Sequence, residues 1–429
     1  MVSPKICRQL MVVAGLSLLP AFAMGSGFAL FEHGARGVAL GGAFGATADD
    51  PTALYYNPAG AAFLSGTQVA GGAYFIALSS SLNGANPYPG KGYRAEQESQ
   101  IFYPPHLYAT GRISENLRWG LAANAPFGLG TWWKDDFAGR YITKRADLKV
   151  FNFNPSIAYR LSDDAALAVG LDYYVASIDL TRSIGAMNPF TQQVAEVGQV
   201  HLYAKRQTGL GFNLGFLGKL GGGMSVGVTY RSKVKVYFDG NASFVQLPSG
   251  NADFDAIVRT QIPFAINPAV ESKIEFPDEM RVAFAWRNDR WSAELDWMRS
   301  GWSSFGALPI TIKGYKALSS VRPENYHDSN TYRFGVEFKK SATWAWQFGA
   351  LYDESPVPTE TVSPLLPDAD RIGLCAGFSY GMSERMRLDV GYMHLDFPKR
   401  PTQGRDGDGF NGTYHNGAEL LGFTVVYKF

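Results

Sequence analysis

Residues 151–175 read FNFNPSIAYRLSDDAALAVGLDYYV, and the alternation in that stretch decides the fold. Phe151, Phe153, Ile157, Tyr159 and Leu161 share one parity, while Asn152, Asn154, Ser156, Ala158 and Arg160 share the other. Past a tight turn at Ser162-Asp163-Asp164, Leu167, Val169, Leu171, Tyr173 and Val175 face one way, opposite Ala166, Ala168, Gly170, Asp172 and Tyr174. Successive side chains of a strand point to opposite faces. A soluble sandwich would turn a polar face outward. Here a wholly apolar face opposes one that carries Asp and Arg among Gly and Ala, the pattern of a barrel with lipid outside and a polar lumen.

The pattern recurs along the chain. Val282, Phe284 and Trp286 oppose Arg281, Ala283, Ala285 and Arg287; after Asn288-Asp289, Trp291, Ala293, Leu295 and Trp297 oppose Ser292, Glu294, Asp296 and Met298. Candidate strands fall at 67–82, 100–114, 116–126, 147–161, 164–180, 201–219, 224–238, 271–288, 290–302, 328–340, 343–353, 369–382, 385–398 and 415–429. Their number, fourteen, is even, and the last ends Phe423, Val425, Tyr427, Phe429 on one parity, which resembles the closing strand of bacterial outer-membrane barrels. The expected fold is all-β, a fourteen-stranded antiparallel transmembrane β-barrel over residues 67–429.

Composition agrees. Charged residues make up 18% of the 429, against about 25% in typical soluble domains, while aromatics reach 14%. A mean hydropathy of -0.10, with no run of about 18 apolar residues past residue 20, excludes a bundle of membrane helices. With 39 basic against 38 acidic residues and no basic cluster, nucleic acid is not an expected partner. Residues 1–25 read as a secretory signal: Lys5 and Arg8, then an apolar stretch from Leu10 to Leu19, then small residues that allow cleavage after Ala23 or Gly25. Cys7 leaves with it, and Cys375 alone cannot form a disulfide within the chain.

Residues 26–66 do not alternate. Gly27, Gly34, Gly37, Gly41, Gly42 and Gly45 let backbones approach closely, Asp49-Asp50-Pro51 reads as a helix cap, and Asn57-Pro58-Ala59-Gly60 follows. Such a segment, with short helices, suits a plug in the lumen.

Gly27-Phe28-Ala29-Leu30-Phe31-Glu32, Ala48-Asp49-Asp50 and Asn57-Pro58-Ala59 resemble the N-terminal hatch of the FadL family of outer-membrane transporters of hydrophobic compounds. The likeness continues in 124–131 (NAPFGLGT), 151–156 (FNFNPS), 227–232 (GVTYRS) and 276–278 (FPD), so that it covers essentially the whole mature chain. The resemblance implies a monomeric barrel in the outer membrane of a Gram-negative bacterium, plugged by a hatch to which Phe28, Glu32, Asn57, Pro58 and Ala59 belong. It implies a hydrophobic small molecule as ligand, either long-chain fatty acids or, in the TodX-like branch, aromatic hydrocarbons, and outer-membrane lipid as the other partner.

Two loops suit an apolar ligand. Trp132, Trp133 and Phe137 stand beside Arg140 and Lys144, an aromatic surface edged with cations that could meet an acid's head group; Phe264 belongs to a second apolar loop, 240–270. Alternatively, these loops pack on one another as a lid. On the inward parity, Asp172, Arg231, Arg281, Arg287, Glu294, Asp296, Arg333, Glu337, Arg371, Arg387 and Asp389 read mainly as luminal ion pairs that also anchor Glu32, Arg36, Asp49 and Asp50; Arg387 or Asp389 is expected near Arg371. Asn124-Ala125-Pro126 breaks the third strand, since proline lacks the donor that a closed sheet needs. Either the strand kinks there, offering a sideways exit, or it simply ends. No catalytic residue, metal site or cofactor is expected: the histidines are scattered and Asp406-Gly407-Asp408-Gly409 lacks a closing Glu. A general porin ranks second, weakened by the plug, and an embedded lipase third.

Overall fold

The computed structural model describes residues 27–402, 404 and 406–429; the signal segment at 1–25 lies outside them. Fourteen antiparallel strands form the wall: β1 (Gln68–Gly84), β2 (Pro105–Arg112), β3 (Leu117–Trp132), β4 (Arg145–Arg160), β5 (Ala165–Asn188), β6 (Gln193–Gly221), β7 (Met224–Arg231), β8 (Glu279–Arg287), β9 (Trp291–Ser300), β10 (Ser329–Lys339), β11 (Trp344–Asp353), β12 (Arg371–Gly381), β13 (Met386–Pro401) and β14 (Gly412–Lys428). The barrel closes where β1 pairs with β14 from Gln68 opposite Lys428 to Gly84 opposite Gly412. Alternation sorts the faces as the sequence implies: Phe153 and Leu171 are 49% and 47% exposed on the outside, while Asp172 is fully buried in the lumen. Short turns gather at one end with the C-terminus, and the long loops at the other.

Three strands are shorter than the sequence suggests, each for a local reason. The stretch 100–114 divides at Pro104-Pro105 into Gln100–Phe102, paired with β1, and β2. At 224–238 the ladder stops after Arg231, where the Ser232 hydroxyl accepts the Phe212 N–H at 2.9 Å in place of a backbone carbonyl. At 271–288 it breaks at Pro277, which has no N–H. The severed pieces, Val234–Gln246 and Ala269–Phe276, pair with each other as a hairpin above the wall. β3 does the opposite and runs through Pro126 to Trp132. Its register against β4 slips between Asn124 and Phe127, so the strand carries a bulge and does not end there.

Residues 27–66 fold inside the barrel as α1 (Ala35–Ala39), α2 (Ala53–Tyr56) and a 3-10 turn (Pro58–Phe63), nearly all of them buried. Packing is so close that a Cβ at Gly391 would fall 2.1 Å from the Ala35 carbonyl oxygen, and one at Gly227 2.1 Å from that of Gly45. The cap of α2 differs from expectation. Thr52 occupies the N-cap without a capping bond of its own, while the Asp50 carboxylate accepts both the Thr52 N–H at 3.0 Å and its hydroxyl at 2.6 Å.

Candidate functional site

The luminal segment is seated by charge. Arg36 donates through Nε (2.7 Å) and Nη2 (3.1 Å) to the two oxygens of Glu337 on β10, and its other nitrogen meets Asp49 and Asp50. Arg387 of β13 donates to Asp50 at 2.7 Å and pairs with Asp389. Neighbouring groups bind the segment's main chain: Glu294 accepts the N–H groups of Ala46 (2.7 Å) and Thr47 (2.8 Å), while Arg281 and Arg333 donate to the carbonyls of Gly42 and Gly41. Arg281 also pairs with Asp296 at 2.7 Å, diagonally across the hairpin, since Asp296 faces Ala283 in the register. Arg371, however, is remote from Arg387: β13 places Arg387 opposite Gly381, the far end of β12, and Arg371 pairs instead with Asp368. Asn57 earns its place in Asn57-Pro58-Ala59 by donating to Gly45 O (2.7 Å) and Phe216 O (2.9 Å) and accepting the Ala59 N–H, which ties the 3-10 turn to both segment and wall.

Above this seat lies an aromatic cage with Phe28 at its centre. The Phe28 ring stands 4.7 Å from Trp302, 5.7 Å from Phe305, 6.1 Å from Phe276 and 6.2 Å from Phe127, all edge to face. Against the cage sits a cavity of about 40 Å³ lined by Phe28, Leu129, Leu148, Ile178, Leu180, Ile274, Phe305, Leu308, Tyr326, Leu365, Leu366 and a few polar residues, Glu324 among them. Two larger hollows at the short-turn end, about 410 and 500 Å³, share no lining residue with it, because the luminal segment lies between.

The wall is interrupted beside the cage. β2 pairs with β3 only as far as Ala123, so from Asn124 onward β3 has no strand on that side. Residues of the luminal segment fill the place: Leu30 N–H donates to Pro126 O (2.8 Å), Gly128 N–H donates to Phe28 O (3.0 Å), and Ala29 bridges Phe127. Beside the interruption lies a space of about 130 Å³, bounded by β1 (Ile76 to Ser80), β3 (Gly128 to Thr131), the luminal segment and inward residues of β13 and β14 such as Leu395 and Ala418. Phe28, Leu129 and Leu366 line both this space and the cavity.

Of the loop residues named from sequence, Trp133 and Phe137 stack on each other at 4.3 Å and are buried, with the Trp133 indole donating to Pro364 O at 3.0 Å. They hold the loops together and do not form an open surface. Trp132 is exposed on the outward parity, beneath the Arg145 guanidinium. Arg140 pairs with Glu196 at 2.7 Å and Lys144 with Asp135, so both cations are compensated. Phe264 is half-buried and packs near Gly198. Trp302, Phe305 and Glu324 went unread in the sequence. The first two carried a signal, an aromatic pair straight after a strand; Glu324, in the polar stretch Arg322-Pro323-Glu324-Asn325-Tyr326-His327-Asp328, carried none.

Comparison with known proteins places this geometry. The family described as outer membrane protein transport protein (OMPP1/FadL/TodX) matches residues 16–429. A long-chain fatty acid transport protein of Escherichia coli is 26% identical over 442 residues, covering 97% of this chain and 98% of its own. A crystal structure of a Pseudomonas aeruginosa FadL homologue superposes with a TM-score of 0.84 at 18% identity, covering 94% of this chain and all of the other. The toluene transporter TodX of P. putida superposes at 0.69 with 17% identity, over 93% and 98% of the two chains. At those identities the solved structures speak to the fold alone.

Proposed function

The chain belongs to the outer membrane protein transport protein family (OMPP1/FadL/TodX), and on that premise we propose that it takes long-chain fatty acids from outside the cell and releases them sideways into the outer membrane. The observation that carries this reading is the position of Phe28, whose ring stands between the apolar cavity and the space beside the interrupted wall while its backbone closes the edge of β3. A ligand that takes the place of the ring also frees the edge. Binding and opening are thereby one event.

Energy favours the sideways route. Discharging a chain of about sixteen carbons into water would forfeit roughly 0.8 kcal/mol per methylene, on the order of 12 kcal/mol in all. The family's other named substrate class, aromatic hydrocarbons, would fit the same path. In this reading a single barrel acts alone and outer-membrane lipid receives the ligand.

The test is Phe28→Ala. If the ligand displaces the ring, the variant binds a long-chain acid more tightly, by up to about thirtyfold for a ring whose burial is worth about 2 kcal/mol. Weaker binding, read by titration calorimetry of the purified barrel, would mean that the ligand stacks on Phe28 and does not replace it.

A further inference from the structure

The cavity beside Phe28 has an unusual polar end for a site that takes acids. Among the described residues no Lys, Arg or His lines it, and the ionisable lining residues are Asp147, Glu324 and Tyr326. Asp147 is engaged by Lys149 at 2.8 Å and Arg145 at 3.6 Å, on the outward parity of β4. Glu324 is 4% exposed; its Oε1 accepts Arg322 Nε at 3.0 Å, and among the described residues no donor reaches its Oε2. Arg322 is spent, since its Nη2 already meets Asp408 at 2.8 Å. Arg371, the cation of the adjoining space, donates Nη2 to Gly27 O at 2.6 Å and meets Asp368, while its buried Nε has no partner among the described residues; it does not line the cavity. A buried carboxylate with no cation to meet it is costly.

From this arrangement we propose that Glu324 holds the head group of a long-chain acid in the inner cavity through a carboxyl–carboxyl hydrogen bond with one shared proton. It rests on the reading that such acids are carried. The proton comes from Glu324 or from the ligand, whichever holds it on entry, and when both are ionised it comes from solvent. No other bond changes. Two carboxyls in one apolar site cannot both ionise at little cost, so sharing a proton is the stable state. Tyr326 and Ser363, the remaining polar side chains of the lining, stay neutral and add no charge.

The groups around Glu324 fit this role. Arg322 lies two residues before it in the chain, Asp408 and Asp406 come from the loop before β14, and Arg182 comes from β5. Burial pushes the Glu324 carboxyl up to about 7, against the pull of Arg322. Below that pH Glu324 brings the proton itself, and binding an ionised acid takes up none. Above it one proton must be taken up, so affinity falls about tenfold per pH unit.

Titration of dodecanoic acid and dodecan-1-ol into the purified full barrel, from pH 6 to 9, tests this. Acid affinity should be level below pH 7 and fall about tenfold per unit above it, while the alcohol stays level. Glu324→Gln, which can donate to a carboxylate at any pH, should bind the acid with a flat profile. A flat profile in the native protein, or an unchanged fall in Glu324→Gln, overturns the proposal. The native barrel offers a second reading free of any folding question: the carbon-13 shift of C1-labelled dodecanoic acid should show its bound carboxyl titrating above pH 7, and a shift fixed at the carboxylate value from pH 6 upward also overturns it. If neither acid nor alcohol binds, the transport reading itself fails, and this proposal with it.

Discussion

Deleting residues 27–60 is expected to turn the barrel into an open pore. Those residues fill the lumen between the upper cavity and the two hollows at the short-turn end, and no other described element crosses that space. The charges left behind, Glu337, Arg387, Asp296 and Arg281, would face water, where ionised groups are stable, and the outward apolar face is untouched. A fourteen-stranded wall with a polar interior then conducts, and ion current and sugar entry into liposomes should rise by about tenfold or more. Conductance that stays at the native level, in a variant whose mobility on gels still changes on boiling, would show that the segment is not the plug.

Straightening β3 should separate binding from uptake. Replacing Asn124-Ala125-Pro126 with a two-residue segment of strand formers removes the extra residue and supplies the missing N–H, so that the β3–β4 ladder runs without a slip. The cage rings come mostly from other segments, so binding of a long-chain acid should remain within about threefold of native. Uptake by whole cells should fall to the level of cells lacking the protein, because β3 would no longer bend away from β1. Uptake that persists in a variant with a demonstrably regular β3 would remove this site from the route.

How far the sequence could be read depends on whether a residue obeys a period. The stretch 151–175 carries period two over two strands, and it yields the wall, its polarity and the inward position of Asp172, whose carboxylate receives Asn152, Asn154 and Asn213. Register across a short turn follows the same logic and brings Arg281 or Arg287 near Glu294 or Asp296; of these the structure pairs Arg281 with Asp296. Arg371 and Arg387 lie apart because pairing runs antiparallel: Arg387 faces Gly381 near the turn, while Arg371 stands at the open end of the hairpin. Loops have no period. Phe28 could be assigned to a hatch, but its neighbours Phe127, Phe276, Trp302 and Phe305 come from three distant segments that only the closed barrel assembles. Glu324 was invisible for the same reason. The aromatic loop at 132–137 looked like an open surface because composition alone does not distinguish a ring offered to a ligand from one packed under a lid.

The luminal segment holds the edge of β3 through two main-chain hydrogen bonds, Leu30 to Pro126 and Gly128 to Phe28, below a third that Glu98 makes to Trp132 at the strand's outer end. Each of the first two is worth about 1 kcal/mol net, and withdrawing a buried ring adds about 2 more. Roughly 4 kcal/mol corresponds to an open population on the order of one molecule in a thousand at rest. On the proposed lateral route, thermal motion supplies that unaided, so opening would call for neither nucleotide hydrolysis nor an ion gradient and would serve both directions equally. Net inward flow must then be imposed from downstream, by whatever reaction traps or consumes the cargo once it has crossed, and a cell that stops consuming would see the protein run to equilibrium and stall.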